Sequence, residues 1–352
     1  NYQTKSRYRK MSNFLVTGGC GFIGSYVIDE LIAVSKNLED PDAVIIYNVD
    51  KMGIGSSREN IKTMPDARCY NIFLDICSGH LEDQLPNKID YVIHLAAESH
   101  VDRSIENPLA FVNSNIKGTA NILEIVRKHD ARMVHVSTDE VYGHLGKNDP
   151  PFTEEHPLAP RSPYSATKAG SDLLVQSYIE TFGINASITR CCNNYGPRQH
   201  DEKLIPTVVR AIVQGDKIPV YGTGENIREW VHAEDHAKAI IEVLLTGKEQ
   251  VYNIPGNIVQ PNIRLINNII KHIEFHYPEY KRKPEGARIE YIEFVKDRKG
   301  HDFKYSINSS KLCNSLNFKF EYDLKKGLDY TVNWYLDNSR WLIKSFNSKF
   351  NR

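Results

Sequence analysis

The sequence predicts an α/β protein, a doubly wound parallel sheet with a smaller mixed α/β lobe. Three observations predict it. Short β-branched apolar runs alternate with helix-length segments through the first half of the chain. The runs are apolar throughout rather than alternating, as expected of strands buried on both faces of a parallel sheet. A glycine-rich turn, Thr17-Gly-Gly-Cys-Gly-Phe-Ile-Gly24, follows the first run and opens the first helix-like segment.

Strands are expected at Asn13–Thr17, Ala43–Val49, Cys69–Leu74, Tyr91–Leu95, Met133–Ser137 and Ala186–Thr189. Helices are expected at Gly24–Val34, Leu109–Lys128 and Arg161–Thr181. The second helix follows Asn107-Pro108, a cap with proline in the first turn. Alternating units of this kind wind helices over both faces of one sheet. After about residue 195 proline and glycine become frequent (Pro197, Pro206, Pro219, Gly222, Gly224), and the segments 258–277 and 322–335 look short and mixed. This is the second lobe. Val251–Ile254 has the character of another buried strand, so the lobes interleave. We therefore expect residues 11–195, with returning segments near 230–256, to form the sheet domain, and residues 196–352 to form mainly the second lobe. Residues 1–10 are polar with four basic side chains, and the first methionine is Met11. They suit an extension, a tag remnant or part of a transit peptide, and stand outside the fold argument.

Lys+Arg and Asp+Glu are each 44 in 352 residues, for zero formal net charge. That balance offers no general attraction to nucleic acid or to an anionic membrane surface. No run approaches the ~18 apolar residues of a membrane helix. The six cysteines, at 20, 69, 77, 191, 192 and 313, show neither CxxC spacing nor a disulfide rhythm. A reducing, cytoplasmic setting explains them better than disulfides, and no metal site is expected.

Gly19, Gly21 and Gly24 satisfy G-x-G-x-x-G, and Gly18, Gly21 and Gly24 satisfy its G-x-x-G-x-x-G variant. Such a turn lets a pyrophosphate approach the backbone at a helix N-terminus, where free N–H groups favour an anion. Asp50 closes the next strand, 26 residues past Gly24, and can accept from a ribose diol. A carboxylate there repels a 2′-phosphate, so NAD is expected rather than NADP, with Lys51 a complication. The bland alternative is a turn that binds nothing; strand, helix and distal acid together argue against it. The arrangement is of Rossmann type. Asp75-Ile76 ends the third strand and could hold an adenine edge.

Tyr164 and Lys168 stand four apart at the start of a helix, on one face. An ammonium beside a phenol, together with a nicotinamide's positive charge, would lower the phenol's pKa and make it a base. Alone, this spacing is common on solvated helix faces. Upstream, Thr138-Asp139-Glu140 follows a central strand at the sheet edge where ligands bind. Adjacent carboxylates repel unless one is protonated, which can place an acid and a base at one site.

With the motifs His94-Leu-Ala-Ala-Glu-Ser-His-Val-Asp-Arg-Ser104, Asn193-Asn-Tyr-Gly-Pro197, Glu202-Lys-Leu-Ile-Pro206, Arg228-Glu-Trp230 and Gly300-His-Asp302, the chain resembles the extended short-chain dehydrogenase/reductases. Within them it is similar to the nucleoside-diphosphate-glucose 4,6-dehydratases, hydro-lyases that act on dTDP- or UDP-glucose; the Thr-Asp-Glu triplet is the discriminating feature. The resemblance implies Tyr164 as base at the sugar O4, with Lys168 beside it and Thr138 on O4. It implies Glu140 as base at C5 and protonated Asp139 as acid at the C6 hydroxyl. It implies NAD held by Gly18, Gly21, Phe22, Ile23, Asp50, Lys51, Asp75, Ile76, Ala96, Ala97, Ser99, Ser114, Tyr164, Lys168 and Asn194. The nucleotide-sugar would meet Ser99, Thr138, Asn193, Lys203, Leu204, Arg228, Asn262, Arg298 and His301. A homodimer through a four-helix bundle of 109–128 and 161–181 is also implied. Cys20 and Phe303-Lys304 depart from the family's usual residues. The alternatives are an NAD-dependent nucleotide-sugar 4-epimerase, which needs Tyr164 but no acid pair, and a non-catalytic NAD-binding sensor.

Overall fold

Seven short strands run parallel in one sheet whose inner members are mostly buried, while the edge strand Cys69–Ile72 leaves Tyr70 53% exposed. In the computed structural model, which describes residues 12–36, 43–61, 68–248, 250–281, 291–297, 302–339 and 341–342, the strands fall where apolar runs leave no alternative to burial. They are β1 (Ser12–Thr17), β2 (Val44–Val49), β3 (Cys69–Ile72), β4 (Tyr91–His94), β5 (Arg132–Thr138) and β6 (Ala186–Cys191). Two short strands, β7 (Asn193–Tyr195) and β8 (Ile218–Tyr221), and then β9 (Ile227–His232) follow before the chain returns as β10 (Val251–Ile254). The last two are β11 (Ile258–Pro261) and β12 (Ile292–Val295).

The large sheet has the order β10-β6-β5-β4-β1-β2-β3, with every neighbouring pair parallel. Strand order reverses between β1 and β4, and open α/β sheets bind ligands at the C-terminal strand ends beside such a switch point. Both faces are covered. Helices Phe22–Lys36 and Ala233–Thr246 bury Val27, Leu31, Ala237 and Ile240 on one side. Helices Gly118–His129 and Pro163–Phe182 bury Ile122, Val126 and Val175 on the other. This double coverage is why the strand sequences are mainly apolar, with the polar exceptions such as His135 and Arg190 buried and hydrogen-bonded.

The second lobe has its own core. Val208, Ile212, Ile266, Ile269, Val332 and Tyr335 pack helices Leu204–Gln214, Asn262–His276 and Leu324–Asp337 together over Ile218, Val220 and Trp230. Sheets β11-β9-β7 and β12-β8 complete it. The segments 258–277 and 322–335, read from sequence as short and mixed, carry helices of 15 and 14 residues. Their mean hydropathy is low because only one stripe of each is apolar, which blurs the run-based signal.

The expected helix 109–128 is also more complex. Pro108–Phe111 is α-helical and capped by Asn107, Val112–Lys117 widens into a π-helix, and Gly118–His129 is α-helical again. The wide turn carries Asn115 inward. Its amide accepts from Glu98 N at 2.8 Å and donates to Glu98 O and Thr167 Oγ1, each at 3.0 Å. Residue propensity carries no i→i+5 signature, so the sequence cannot show this. Among the described residues no helix is long and apolar enough to cross a membrane.

Candidate active site

The glycine turn sits between β1 and helix Phe22–Lys36. Gly18 adopts φ +78° and donates its N–H to Val49 O at 2.8 Å. A Cβ on Gly24 would lie 2.1 Å from Gly18 O, so only hydrogen lets the helix pack on the turn. On Gly21 a Cβ would meet only Gly18 O, at 3.1 Å, within 4 Å. That face is otherwise open, as a backbone-hugging pyrophosphate requires. Asp50 is buried at the end of β2, its two oxygens accepting from Cys20 N (3.0 Å) and Met52 N (2.8 Å). Each oxygen keeps a lone pair for a hydroxyl donor. These features fit NAD. Cys20, by contrast, turns its thiol into the core, where burial pushes it up to about 11.

Other residues named for the cofactor occupy the same edge. Lys51 reaches Glu98 at 2.8 Å and Asp75 at 3.8 Å, so its charge is balanced by two acids. Asp75 accepts from Cys77 N, Ile76 is buried with its carbonyl bonded by Asn121, and Ala96 N donates to Thr17 Oγ1. Ala97 is half-buried and Ser99 exposed in the loop after β4, Phe22 and Ile23 open the helix, and Ser114 is buried in the π-turn. The Asn194 side chain is held by the chain itself, through Cys192 O (3.0 Å) and His236 Nδ1 (2.7 Å).

The chemistry gathers at the C-terminal end of β5. A 3₁₀ turn, Asp139–Tyr142, is capped by Thr138, whose Oγ1 accepts from Glu140 N and donates to Asp139 Oδ1, both at 3.3 Å. Asp139 is 2% exposed and its Oδ2 has no protein partner. Burial first, then Glu140 and Glu229, hold it well above the usual carboxylate range, favouring the protonated form. Helix Pro163–Phe182 starts at a capping box, Ser162 with Ser165, and Pro163 fills its first turn. That start sets Tyr164 over the acid turn, where its hydroxyl faces Thr138 and Glu140.

The lowered phenol expected from sequence is not what the chain's own groups produce. Burial and the nearby Glu140 push Tyr164 well above its ordinary value. Lys168, fully buried, donates to Val136 O at 2.8 Å and is itself lowered to about 8 by burial. Desolvation is the largest cause of both shifts.

From the second lobe comes Arg228, only 7% exposed. It donates to Ile227 O (2.8 Å), Phe303 O (3.3 Å) and Asp302 O (3.0 Å), and lies 4.5 Å from the Tyr305 ring centre. Its charge also faces Glu140 and Asp139. Asn262 follows β11, with its Oδ1 buried and without a hydrogen-bond partner in the chain. Asn193 lies half-buried on β7, and Lys203 and Leu204 open helix Leu204–Gln214. Arg298 and His301 lie outside the described residues.

Several residues escaped the sequence reading. Tyr305 donates its hydroxyl to Asp302 Oδ2 and faces Glu140. Glu229, 4% exposed, accepts from Ile307 N at 2.9 Å, and burial raises its pKa to about 7. Under the Tyr164–Lys168 helix, Asp172 and Arg190 form an ion pair at 2.9 Å with exposures of 0 and 2%. Burial works to raise Asp172, but His135 and Arg190 outweigh it and hold the carboxylate charged. Removing one partner of such a pair costs about 3–5 kcal/mol. No local motif announces these residues: Glu229 meets Ile307 78 residues on and Asp172 meets Arg190 18 residues on, while Tyr305, though bonded to nearby Asp302, reaches Glu140 only through the fold. Among the described residues no group of three or more His, Cys, Asp or Glu side chains could hold a metal ion.

Sheet, glycine turn and acid–base cluster together define a nucleotide-binding α/β protein, with the glycine turn at the topological switch and the acid–base cluster two strands away at the end of β5. The comparisons narrow this class. A family model described as GDP-mannose 4,6 dehydratase matches residues 15–331, and the chain belongs to that family. It is 42% identical over 356 residues to a dTDP-glucose 4,6-dehydratase of Neisseria meningitidis, covering 97% of this chain and 98% of the relative. A Streptomyces venezuelae dTDP-glucose 4,6-dehydratase crystallised with NAD superposes with a TM-score of 0.85 at 39% identity, covering 94% and 98% of the two chains. A UDP-N-acetylglucosamine 4-epimerase from Methanobrevibacter ruminantium superposes with a TM-score of 0.80 at 27% identity, covering 94% and 99%. The fold by itself therefore does not separate dehydration from epimerisation.

Proposed function

We propose that this protein is an NAD-dependent dTDP-glucose 4,6-dehydratase, a hydro-lyase that makes the 4-keto-6-deoxy sugar. One observation carries the reading. Asp139 is a buried carboxyl biased toward its protonated form beside a second carboxylate, Glu140, and both adjoin Tyr164 and Thr138. Epimerisation has no use for a proton donor next to a second base. The named relatives and the NAD-bound neighbour support the same assignment.

NAD, when bound, supplies an acceptor for the C4 hydride, returns it to C6, and brings a positive ring that opposes the burial of the Tyr164 phenol. Gly18, Gly21 and Asp50, with Asp75, Ile76 and Lys51, would hold it. Tyr164 takes the O4 proton while Thr138 positions O4. The resulting 4-ketone acidifies C5–H. Glu140 removes that proton, Asp139 delivers its own to the departing C6 hydroxyl, and C5 takes a proton back when the hydride reaches C6, so that protons balance over the sequence. Arg228 and Asn262, with Lys203, Arg298 and His301, are proposed for the nucleotide-sugar.

In this reading residues 11–195, with returning segments near 230–256, bind NAD, and residues 196–352 bind mainly substrate. We also infer a homodimer through a four-helix bundle. Its support is exposed apolar surface on two helical segments, Leu109 (72%) and Val112 (40%) on one and Leu173 (55%) on the other. A monomer in sedimentation at micromolar concentration would remove it. Cytoplasmic residence is supported by six free cysteines.

The direct test is incubation with dTDP-glucose and with UDP-glucose, followed by NMR. A 6-deoxy-4-keto sugar is expected. A galactose isomer would establish the epimerase instead, and no change would leave a sensor. Competing the two nucleotides measures base preference, which rests on one methyl group worth about 1–3 kcal/mol.

A further inference from the structure

A large cation is buried where the two halves of the site meet. Arg190 is among the largest side chains with under 2–3% exposure, and it touches both halves. Its Nε donates to Asp172 Oδ2 at 2.9 Å, and its Nη1 donates to the Tyr142 hydroxyl, also at 2.9 Å. Asp172 lies one turn beyond Lys168 and two beyond Tyr164 on the same helix. Tyr142 closes the 3₁₀ turn that begins with Asp139 and Glu140. One rigid, planar group therefore spans the helix that carries the phenol and the turn that carries the acid pair, with a fixed angle between its two bonds.

Both ends are anchored further. The Tyr142 hydroxyl donates to Asn253 Oδ1 on β10 at 2.8 Å, and Asn253 Nδ2 donates to Phe152 O at 3.2 Å. On the helix side, His135 Nε2 of β5 stands 3.5 Å from Asp172 Oδ1. An apolar side chain of the same volume would fill the space without fixing either direction. A buried charge is poor evidence for stability, so its retention here calls for a reason of geometry.

We propose that Arg190 is a positioning residue that keys the Tyr164–Lys168 helix to the Asp139–Glu140 turn, so that oxidation at C4 and elimination across C5–C6 act on one sugar pose. This rests on the dehydratase reading above. Arg190 touches no reacting atom in it; it acts through Asp172 and Tyr142.

Arg190→Lys keeps the charge but cannot serve both directions, and it endangers the buried pair. Tyr142→Phe leaves the Asp172–Arg190 pair intact and removes the turn's bonds to both Arg190 and Asn253, so it is the primary variant, with Asn253→Leu, which spares the Arg190 bond, as its control; equal effects of the two on the turn would overturn the keying role. In protein without substrate, amide hydrogen exchange should rise roughly tenfold at Glu140 and Gly143. Those amides are held within the turn, Glu140 N by Thr138 Oγ1 and Gly143 N by Glu140 O. Amides of the helix after Ala166 should keep their protection. With dTDP-glucose, C4 oxidation should persist while elimination slows on the order of tenfold or more, as expected for a small misplacement of acid and base. Reduced nicotinamide would then accumulate. The idea is overturned if exchange is unchanged, if it rises equally in turn and helix, or if product forms at the wild-type rate without reduced cofactor. Should wild-type protein make no 4-keto-6-deoxy sugar, the dehydratase reading fails by itself, and the exchange result alone decides the keying role.

Discussion

Glu229 makes the interior of the site measurable through stability. It is 4% exposed on β9, and burial lifts its pKa from 4.5 to about 7 although Ile307 N–H, Ser306 and Gly256 bond it. In the unfolded chain the carboxyl ionises near 4.5, whereas in the fold it stays protonated until about 7. Between those values the unfolded state binds fewer protons, so stability falls as pH rises and levels off above 7. At about 1.4 kcal/mol per pH unit, the loss amounts to about 3 kcal/mol. Glu229→Gln cannot ionise and keeps an acceptor for the Ile307 amide. Denaturant unfolding of both proteins at several values from pH 4 to 8 should therefore show a difference that depends on pH. Relative to wild type, the variant should gain about 3 kcal/mol across that window and nothing further above it. A difference that stays flat within about 0.5 kcal/mol, or one that moves the other way, would refute the account of a desolvated, neutral Glu229.

Three further outcomes follow from the geometry. Glu140→Gln should reduce NAD when substrate is added and then stall, with no deuterium entering C5 in heavy water; Asp139→Asn should also hold reduced cofactor yet allow label at C5. Normal turnover of the Glu140 variant would remove the assigned elimination role. Tyr164→Phe should lower turnover by about 10²–10⁴ while NAD stays bound on purification, read from the absorbance of the denatured extract. Gly24→Ala places a Cβ 2.1 Å from Gly18 O and should destabilise the fold and cost cofactor affinity, whereas Gly79→Ala, with nothing within 4 Å, should melt like wild type.

Local chemistry is what a sequence carries well. The glycine turn, the Asp50 carboxylate, the i,i+4 pair Tyr164–Lys168 and the Thr138-Asp139-Glu140 triplet each lie within one strand–turn–helix unit. Their roles follow from backbone freedom, charge and helical spacing, and the strands were visible because burial on both faces favours mainly apolar runs. Other properties depend on which distant segments meet. Arg190 pairs with Tyr142 48 residues away, and Arg228 binds Asp302 O 74 residues on. The π-turn that buries Asn115 answers to Glu98 and Thr167. Even the direction of the Tyr164 shift was decided this way. Sequence places an ammonium one turn from the phenol and, with a nicotinamide's charge, suggests a lowered pKa; in the chain alone, burial and Glu140 raise it. Residue type and spacing determined which groups could react; the dielectric around them, and hence which proton each holds, was decided only by tertiary packing.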